Sequence, residues 1–466
     1  MLSLTKKQLD LMAQAIKVDP VFFAEEILGV TLTDYQKKIL YDFGDAVYNI
    51  KNNLPAKRHF AIKSGHSVGK SFLFAVIALW FFYCIKESIV LITAPTFRQV
   101  RFIIWGELRK LYSFAKIPLG CELLDTYLKS EDSKHFILPF TSRDDLSQVQ
   151  GFHAKAMLIL IDESPGVSKT IRDAIDGFTT SPLCFTIEAG NAIYIPESPF
   201  YEAFNKNKQL YHNFTITSYE SPFCDKRWIA ERELAWGKDS PLFKAKVLGE
   251  FAPDSEANLV VPLGKIHSRL YPIEDFIMRE KQERYMGVDV ARSGNDETVF
   301  CIRNGNDILP FITRKSIDLM ETAGLIKQIA NQYEIPDNHV LIDEIGIGAG
   351  VVDRLHEQEF SCVGFNSANK PVLRGIYEDD HYLNLRAQSY FHLASLLDKL
   401  WLPDDDKMMA DLSTIKFQIL SNGKYKIASK EEIKKELGRS PDRADALVMA
   451  CADFLLTSQK ACFEMW

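Results

Sequence analysis

Ser64-Gly65-His66-Ser67-Val68-Gly69-Lys70-Ser71 stands between an apolar run at His59 to Lys63 and a long apolar stretch that opens near Phe72. A loop between a strand and a helix start turns its backbone N–H groups and the helix N-terminus toward an anion. Lys70 has the reach to meet the β- and γ-phosphates of a nucleotide, and Ser71 has the hydroxyl to ligate Mg²⁺. The stretch departs from G-x-x-x-x-G-K-[ST] only at its first position, where Ser64 replaces glycine. Gly65 and Gly69 keep the backbone freedom such a turn needs. Taken alone, the stretch could also be a chance Gly-Lys-Ser at a helix start.

Further along, Met157-Leu158-Ile159-Leu160-Ile161 runs straight into Asp162-Glu163. An apolar strand ending in paired acids places Asp162 to hold Mg²⁺ and Glu163 to orient an attacking water. A buried strand followed by an acidic helix cap is the bland alternative, and the loop and the acid pair together outweigh it. With Ser88 to Thr93 and Leu183 to Ala189, the first half carries four candidate strands of a mostly parallel sheet buried on both faces. Thr186 to Asn191 ends the last of these in a polar group that either senses the γ-phosphate or forms a plain strand-end turn. Tyr35 and Gln36 either stack on and hydrogen-bond adenine or belong to the partial core of a helix. Arg98, Arg101 and Arg143 are candidates for a finger that neutralises transition-state charge.

After Gly249-Glu250-Phe251 comes a polar stretch without periodicity, Ala252 to Asn258, read as a domain linker. A second α/β pattern then begins, with candidate strands at 285–291, 297–303, 308–312 and 339–343 and helices at 317–334, 382–399 and 442–457. Ser413 to Leu420 and Lys424 to Ala428 read as a hairpin turning at Asn422-Gly423. Asp289 interrupts an apolar strand, a costly placement unless it meets a metal or a cation. A second strand delivers Asp343-Glu344 into the glycine-rich turn Gly346 to Gly350. In Ser440-Pro441-Asp442-Arg443-Ala444-Asp445-Ala446, Pro441 suits a first helical turn, so Asp442 and Asp445 share a face. Oxygen ligands from two strands and a late helix suit two Mg²⁺ or Mn²⁺ ions, roughly 3.5 to 4 Å apart, for in-line phosphodiester cleavage. Asp296 is either an accessory ligand or a turn residue.

The composition, 47% hydrophobic and 25% charged over 466 residues, excludes disordered, collagen-like and fibrous classes and leaves room for two or three compact domains. The 8 cysteines form no C-x-x-C pair and read as buried thiols in a reducing cytosol. No signal-peptide core opens the sequence, and the longest apolar run, Phe72 to Ile85, falls short of the roughly 18 to 20 residues a bilayer span needs. These features read as a soluble intracellular chain.

In this order the elements resemble the large terminase subunit of tailed bacteriophages. The resemblance covers nearly the whole chain, and includes Ala94-Pro95-Thr96-Phe97-Arg98-Gln99, Gly190-Asn191 and the Gly249-Glu250-Phe251 boundary. It implies an α/β protein in which a P-loop additional-strand ATPase domain (1–250), with a small lid at about 190–250, is followed by a linker (251–283) and a ribonuclease H-like nuclease domain (284–466). Under it Lys70 and Ser71 bind phosphates and Mg²⁺, Asp162 holds Mg²⁺, Glu163 activates water, and Asn191 couples hydrolysis to motion. Asp289, Asp343 and Asp445 are the nuclease metal ligands, with Asp442 at a variable position. The implied cofactors are ATP and Mg²⁺, with Mn²⁺ as an alternative at the nuclease site. The implied activity is ATP-driven translocation of double-stranded DNA into a procapsid and endonucleolytic cutting of concatemeric DNA. The implied partners are that DNA, a small terminase subunit, the portal protein and further copies in a ring on the portal, with no membrane, in the host cytoplasm.

Two other readings compete. A repair or defence helicase–nuclease needs a second motor lobe, and the stretch between Asn191 and Tyr285 is too short for one. A non-catalytic docking component would have no need of Lys70, Glu163, Asp289, Asp343 and Asp445 together. The net charge of −7 divides unevenly: residues 1–250 carry 30 basic and 28 acidic side chains, residues 251–466 carry 25 and 34. The acidic surplus lies wholly in the second half, which is expected to hold DNA weakly by itself.

Overall fold

The computed structural model describes residues 12, 14–96, 99–124, 127–131, 134–140, 154–178, 181–252, 258–271, 281–291, 297–315, 317–372, 381–420 and 422–456. The chain forms two compact units. The first comprises Met1–Ile229 and Ala245–Phe251, the second Ala230–Lys244 and Ala252–Trp466.

The first unit is built on an eight-stranded sheet of β1 (His59–Ser64), β2 (Ser88–Thr93), β3 (Glu122–Leu123), β4 (Leu128–Lys129), β5 (Phe136–Phe140), β6 (Ala156–Ile161), β7 (Leu183–Gly190) and β8 (Tyr211–Ile216). Their order is β3-β4-β5-β2-β6-β7-β1-β8. From β5 to β8 every pairing is parallel, and β3 and β4 make an antiparallel edge. The sheet therefore has β7 inserted between β1, which feeds the loop, and β6, which ends at the acid pair. This is the additional-strand P-loop arrangement. Every residue of β2 and β6 is buried, as unbroken apolar runs require in a parallel sheet covered on both faces.

Two of the helices that flank these strands position the loop. Helix α1 (Asp34–Lys51) starts at a capping box in which Thr33 and Gln36 satisfy each other's backbone N–H groups. Helix α2 (Lys70–Cys84) has no polar face and is buried from Leu73 to Phe82, the signature of a helix enclosed all round. Phe43 of α1 meets Phe60, Trp80 and Phe185 edge-on, each at 5.5 Å. Such pairs add about 0.5–1.5 kcal/mol each beyond area burial, and they fix α1 against β1, α2 and β7.

The second unit contains β9 (Arg284–Asp289), β10 (Glu297–Asn304), β11 (Asp307–Ile308), β12 (Ile312–Lys315), β13 (Val340–Asp343) and β14 (Val363–Phe365). The order is β11-β10-β9-β13-β14, with β12 also pairing β10. β9, β10 and β12 run antiparallel in turn, whereas β13 joins β9 in parallel and β14 joins β13 in parallel. Three antiparallel strands followed by two parallel ones make the ribonuclease H-like sheet. Met286, Val288, Val340 and Ile342 pack with Ile326 of helix α4 (Leu319–Gln332) and Leu355 of helix α5 (Gly348–Glu357). Leu341 points the other way and packs with Leu385 of α6 (Leu385–Leu396) and with Met449, as the period-two alternation of a strand dictates.

The remaining helices of use here are α7 (Asp406–Leu412), α8 (Lys430–Leu437) and α9 (Asp442–Ala450). A hairpin of β15 (Phe417–Ile419) and β16 (Tyr425–Ile427) precedes α8 and turns at Gly423, φ +81°. Its first strand starts later than the apolar pattern suggests because α7 runs up to Ser413. The run at 308–312 divides into β11 and β12 around Pro310, which cannot donate to a ladder. The helix expected over 442–457 stops at Ala450, with Cys451 as its C-cap.

Residues 258–271, within the stretch read as linker, carry the short helix Leu263–His267 and a strand, Leu270–Tyr271, that pairs with Leu402–Pro403. Cys84, Cys184, Cys301, Cys362 and Cys451 are buried free thiols, whereas Cys121 is exposed because it sits in a turn. Among the described residues no helix is long and apolar enough to cross a membrane.

Candidate active sites

In the first unit the parallel register brings the C-terminal ends of β1, β6 and β7 to one edge of the sheet. Ser64 is the last residue of β1 and is not among the positive-φ residues, so its replacement of glycine costs no backbone strain. The conformational demand falls on Gly69, φ +76°, which caps α2, and on Ser67, held at φ +56°. Gly65 is needed for close approach: a side chain there would fall on Ser218 Oγ and the Val247 carbonyl.

The loop is held from outside by its carbonyls. Asn191 Nδ2 donates to Ser64 O at 2.8 Å, Ser218 Oγ to His66 O at 3.0 Å, Ser221 Oγ to Ser67 O at 2.5 Å and Tyr35 OH to Val68 O at 3.0 Å. Gly65 and His66 N–H donate to the carbonyls of Ile216 and Lys246. With the carbonyls engaged behind it, the loop leads into α2, whose first N–H groups have no intrahelical acceptor.

Lys70 Nζ lies 3.9 Å from Glu163 Oε1, and Ser71 Oγ donates to Asp162 Oδ2 at 3.3 Å. The four residues singled out in sequence for phosphate, Mg²⁺ and water are therefore adjacent. Burial, reinforced by the neighbouring Glu163 charge and opposed by Lys70, pushes the Asp162 carboxyl up to about 6. A buried carboxylate short of positive charge, facing a hydroxyl and an ammonium, fits a divalent cation. Glu163 sits at φ +45°, a left-handed backbone. Its loop is tied down by Arg172 of helix α3 (Lys169–Phe178), which donates to Ser164 O at 3.1 Å and to buried Glu188 of β7 at 2.9 Å.

A cavity of about 620 Å³ opens on this loop, lined by Ser67 to Phe72 and Glu163 together with Val30, Thr31, Ile103, Glu107 and Phe223. Its size suits a nucleotide. Tyr35 and Gln36 are not among its lining residues. The Tyr35 hydroxyl is spent on Val68, and Gln36 is fully buried with its Oε1 in the α1 capping box. Arg101 lies on the helical turn 99–104 with its guanidinium 5.7 Å from the Phe102 ring. Arg98 and Arg143 lie outside the described residues.

In the second unit Asp289 and Asp343 end adjacent parallel strands, one register step beyond the Val288 to Ile342 pair, so both carboxylates leave the same sheet edge. Asp445 arrives on α9. That helix can come this close because β9 carries Gly287, where a Cβ would fall on the Ala446 carbonyl and 2.5 Å from the Ala450 nitrogen. At the convergence stands Lys430, the first residue of α8. Its Nζ is 3.0 Å from Asp445, 3.2 Å from Asp343 and 3.9 Å from Asp289.

Asp445 Oδ1 also accepts the Tyr390 hydroxyl at 2.6 Å and faces Arg386 at 3.8 Å. Burial pushes Asp445 up, yet Lys430 and Arg386 outweigh it and hold the carboxyl below its usual range. Asp289 goes the opposite way. Burial raises it well above the usual range, Lys430 draws it back, and Asp445, Asp442 and Asp343 add repulsion. Asp442, in the first turn of α9, is near enough to add to this repulsion; Asp296 lies outside the described residues.

Among the described residues no group of three or more His, Cys, Asp or Glu side chains is arranged as a finished metal site. The ammonium of Lys430 stands among the three carboxylates. Three carboxylates from different elements reaching one cation fit a divalent ion at that place. Neither Lys430 nor its partners Arg386 and Tyr390 is marked in the sequence. The capping box Ser429-x-x-Glu432 announces a helix start, but nothing local says that the helix aims its first lysine at three distant acids.

No protein-family model matches the chain. The "Probable terminase, large subunit" of Enterobacteria phage P7 is 25% identical over 442 residues, spanning 84% of each chain. Among solved structures, the large terminase of a thermophilic bacteriophage aligns with a TM-score of 0.42 at 12% identity, covering 92% of this chain and 100% of that one. The nuclease domain of the large terminase subunit of bacterial virus Sf6 aligns with a TM-score of 0.36 at 23% identity, covering 41% of this chain and 98% of that domain. Over most of its length the chain is similar to a phage terminase large subunit.

Proposed function

We propose that the chain is the large subunit of a viral DNA-packaging terminase, an ATPase that translocates double-stranded DNA and a metal-dependent endonuclease that cuts it. The observation that carries this reading is the presence, in one chain, of an additional-strand sheet with Lys70, Ser71, Asp162 and Glu163 at one edge and a ribonuclease H-like sheet with Asp289, Asp343 and Asp445 at one edge. Similarity to the phage P7 protein over 84% of both chains supports it.

The motor half is read as residues 1–250 with a lid near 190–250 and the nuclease half as 284–466, although Ala230–Lys244 and the stretch from Ala252 belong to the second compact unit. Lys70 and the backbone N–H groups at the α2 N-terminus would hold the ATP phosphates, with Ser71 and Asp162 as the Mg²⁺ ligands. Mg²⁺ supplies charge neutralisation at the phosphoryl group. Glu163, on its left-handed turn, orients water and accepts its proton. Asn191, bound to the Ser64 carbonyl, links the end of β7 to the loop and is suited to report the phosphate state.

In the nuclease half Asp289, Asp343 and Asp445, with Asp442 beside them, would hold Mg²⁺ or Mn²⁺, which activates water and stabilises the leaving oxygen in phosphodiester cleavage. Tyr390 and Arg386 orient Asp445. Phage packaging requires a DNA substrate and packaging partners. The finer assignment is a small DNA-recognising subunit, a portal protein and a ring of copies on the portal, in the host cytoplasm.

The test is a double dissociation in the full chain. Lys70→Ala should abolish ATP hydrolysis and leave divalent-dependent nicking of plasmid DNA, and Asp289→Ala should do the reverse. Cutting by Asp289→Ala at the wild-type rate would refute the nuclease site.

A further inference from the structure

Parallel pairing from β5 to β8 lines up the starts of six strands along one edge of the first unit's sheet, opposite the edge that carries Lys70, Asp162 and Glu163. Charge is sorted between the two edges. Within three residues ahead of these strands stand Lys134 before β5, Lys86 before β2, Lys155 before β6, Lys57 and Arg58 before β1, and Lys208 before β8. The five lysines are exposed. Among the described residues at those positions the one acid is Glu87, which pairs with Lys155 at 2.9 Å.

Two of these side chains are laid along the edge. Lys57 Nζ donates to the Tyr211 carbonyl at the start of β8 at 2.6 Å, and Arg58 Nη1 donates to the Pro182 carbonyl ahead of β7 at 2.8 Å. A carbonyl accepts such a bond without cancelling the charge, so β7, which has no basic residue before it, is covered by Arg58. Five strand spacings of about 4.8 Å make the edge about 24 Å long, a length over which duplex DNA carries about fourteen phosphates. The dipole at the end of α2 favours Lys86. Sheets have only small net dipoles, so the cations ahead of the other strands answer to something outside the sheet.

Lysine is depleted at protein–protein interfaces, whereas Lys and Arg gathered on one face are the footprint of nucleic acid. Resting on the terminase reading above, we infer that this edge is a contact surface for the phosphate backbone of double-stranded DNA, held without regard to base sequence on the side of the sheet away from the nucleotide. The first unit then grips DNA and binds ATP at opposite ends of the same strands.

Binding of a linear duplex to the full chain in EDTA, which keeps the DNA uncut, is measured over a range of salt. Lys57→Gln, Lys86→Gln and Lys208→Gln together should weaken binding at about 0.1 M salt by about tenfold or more and reduce the slope of log K against log salt by about 3. Lys37→Gln, Lys110→Gln and Lys116→Gln together remove the same charge from lysines paired with Glu25, Glu107 and Glu26. That control should keep the wild-type affinity and slope, and both variants should melt as wild type does. Unchanged affinity and slope in the first variant would overturn the surface and leave the edge to an acidic protein. Equal losses in the two variants would overturn it as well. Wild type that binds no duplex at any salt would overturn the terminase reading along with it.

Discussion

Lys430 Nζ stands 3.0 Å from Asp445 Oδ2, so an ammonium from one helix neutralises a carboxylate from another at the place where three acids meet. A metal ion entering the site must displace that cation. Removing the ammonium leaves the carboxylates to repel one another without a counter-charge. Lys430→Ala is therefore expected to destabilise the metal-free chain by about 1–2 kcal/mol, a figure reduced because the lysine side chain is 43% exposed. It should also bind Mn²⁺ more tightly. Thermal unfolding in EDTA and in Mn²⁺ checks both parts: the variant should melt below wild type without metal and gain more from Mn²⁺. Identical melting under both conditions would show that Lys430 is not the stand-in cation.

Gly287 sets the distance between β9 and α9. A methyl group there would fall on the Ala446 carbonyl, and because that obstacle is backbone, the helix has to move. Gly287→Ala should cost about 1–3 kcal/mol as an overpacked site. It should also lower DNA nicking far below the loss of folded protein, because Asp445 moves with α9 while Asp289 stays on its strand. ATP hydrolysis is the internal control. A variant with wild-type nicking per folded molecule would show that α9 does not position the site.

Asp411 of α7 is fully buried, pairs with Arg439 at 2.6 Å and accepts the Arg443 N–H at 3.1 Å near the start of α9. Burial nonetheless pushes its carboxyl up to about 6. A folded-state value above the unfolded one means that the native chain binds the proton more tightly. Its contribution to stability is then complete below about pH 4 and is lost as pH rises through about 6. Asp411→Asn removes this dependence. The stability difference between variant and wild type should move in favour of the variant by about 3 kcal/mol between pH 4 and pH 7. Urea unfolding at both pH values measures it, and a difference independent of pH would contradict the raised carboxyl.

Much of the architecture is legible in one dimension. The strands at 59–63, 88–93, 157–161 and 183–189 recur in the structure with at most one residue added at an end, because a strand buried on both faces must be an unbroken apolar run. Strands at the sheet edge are not legible: β3 and β4 are 2 residues each and have no periodicity to detect. Gly69 and Lys70 are readable because a strand–loop–helix turn of this kind has a local backbone geometry at fixed spacing. Tyr35 and Gln36 share that neighbourhood in sequence, and in the fold the Tyr35 hydroxyl bonds the Val68 carbonyl and Gln36 Oε1 the helix cap, while Gln36 Nε2 is buried without a hydrogen-bond partner.

The order of amino acids alone specifies the sheet-building runs, the phosphate loop with its acid pair, and the succession Asp289, Asp343 and Asp445, since each of these depends on contacts within a few residues. It took the folded chain to put Lys430 among three acids, to admit α9 over Gly287 and to bring Phe223 to the lip of the nucleotide cavity. Each of those facts joins segments distant along the chain, and what fixes them is the close packing of whole elements, to which no local pattern of residues corresponds.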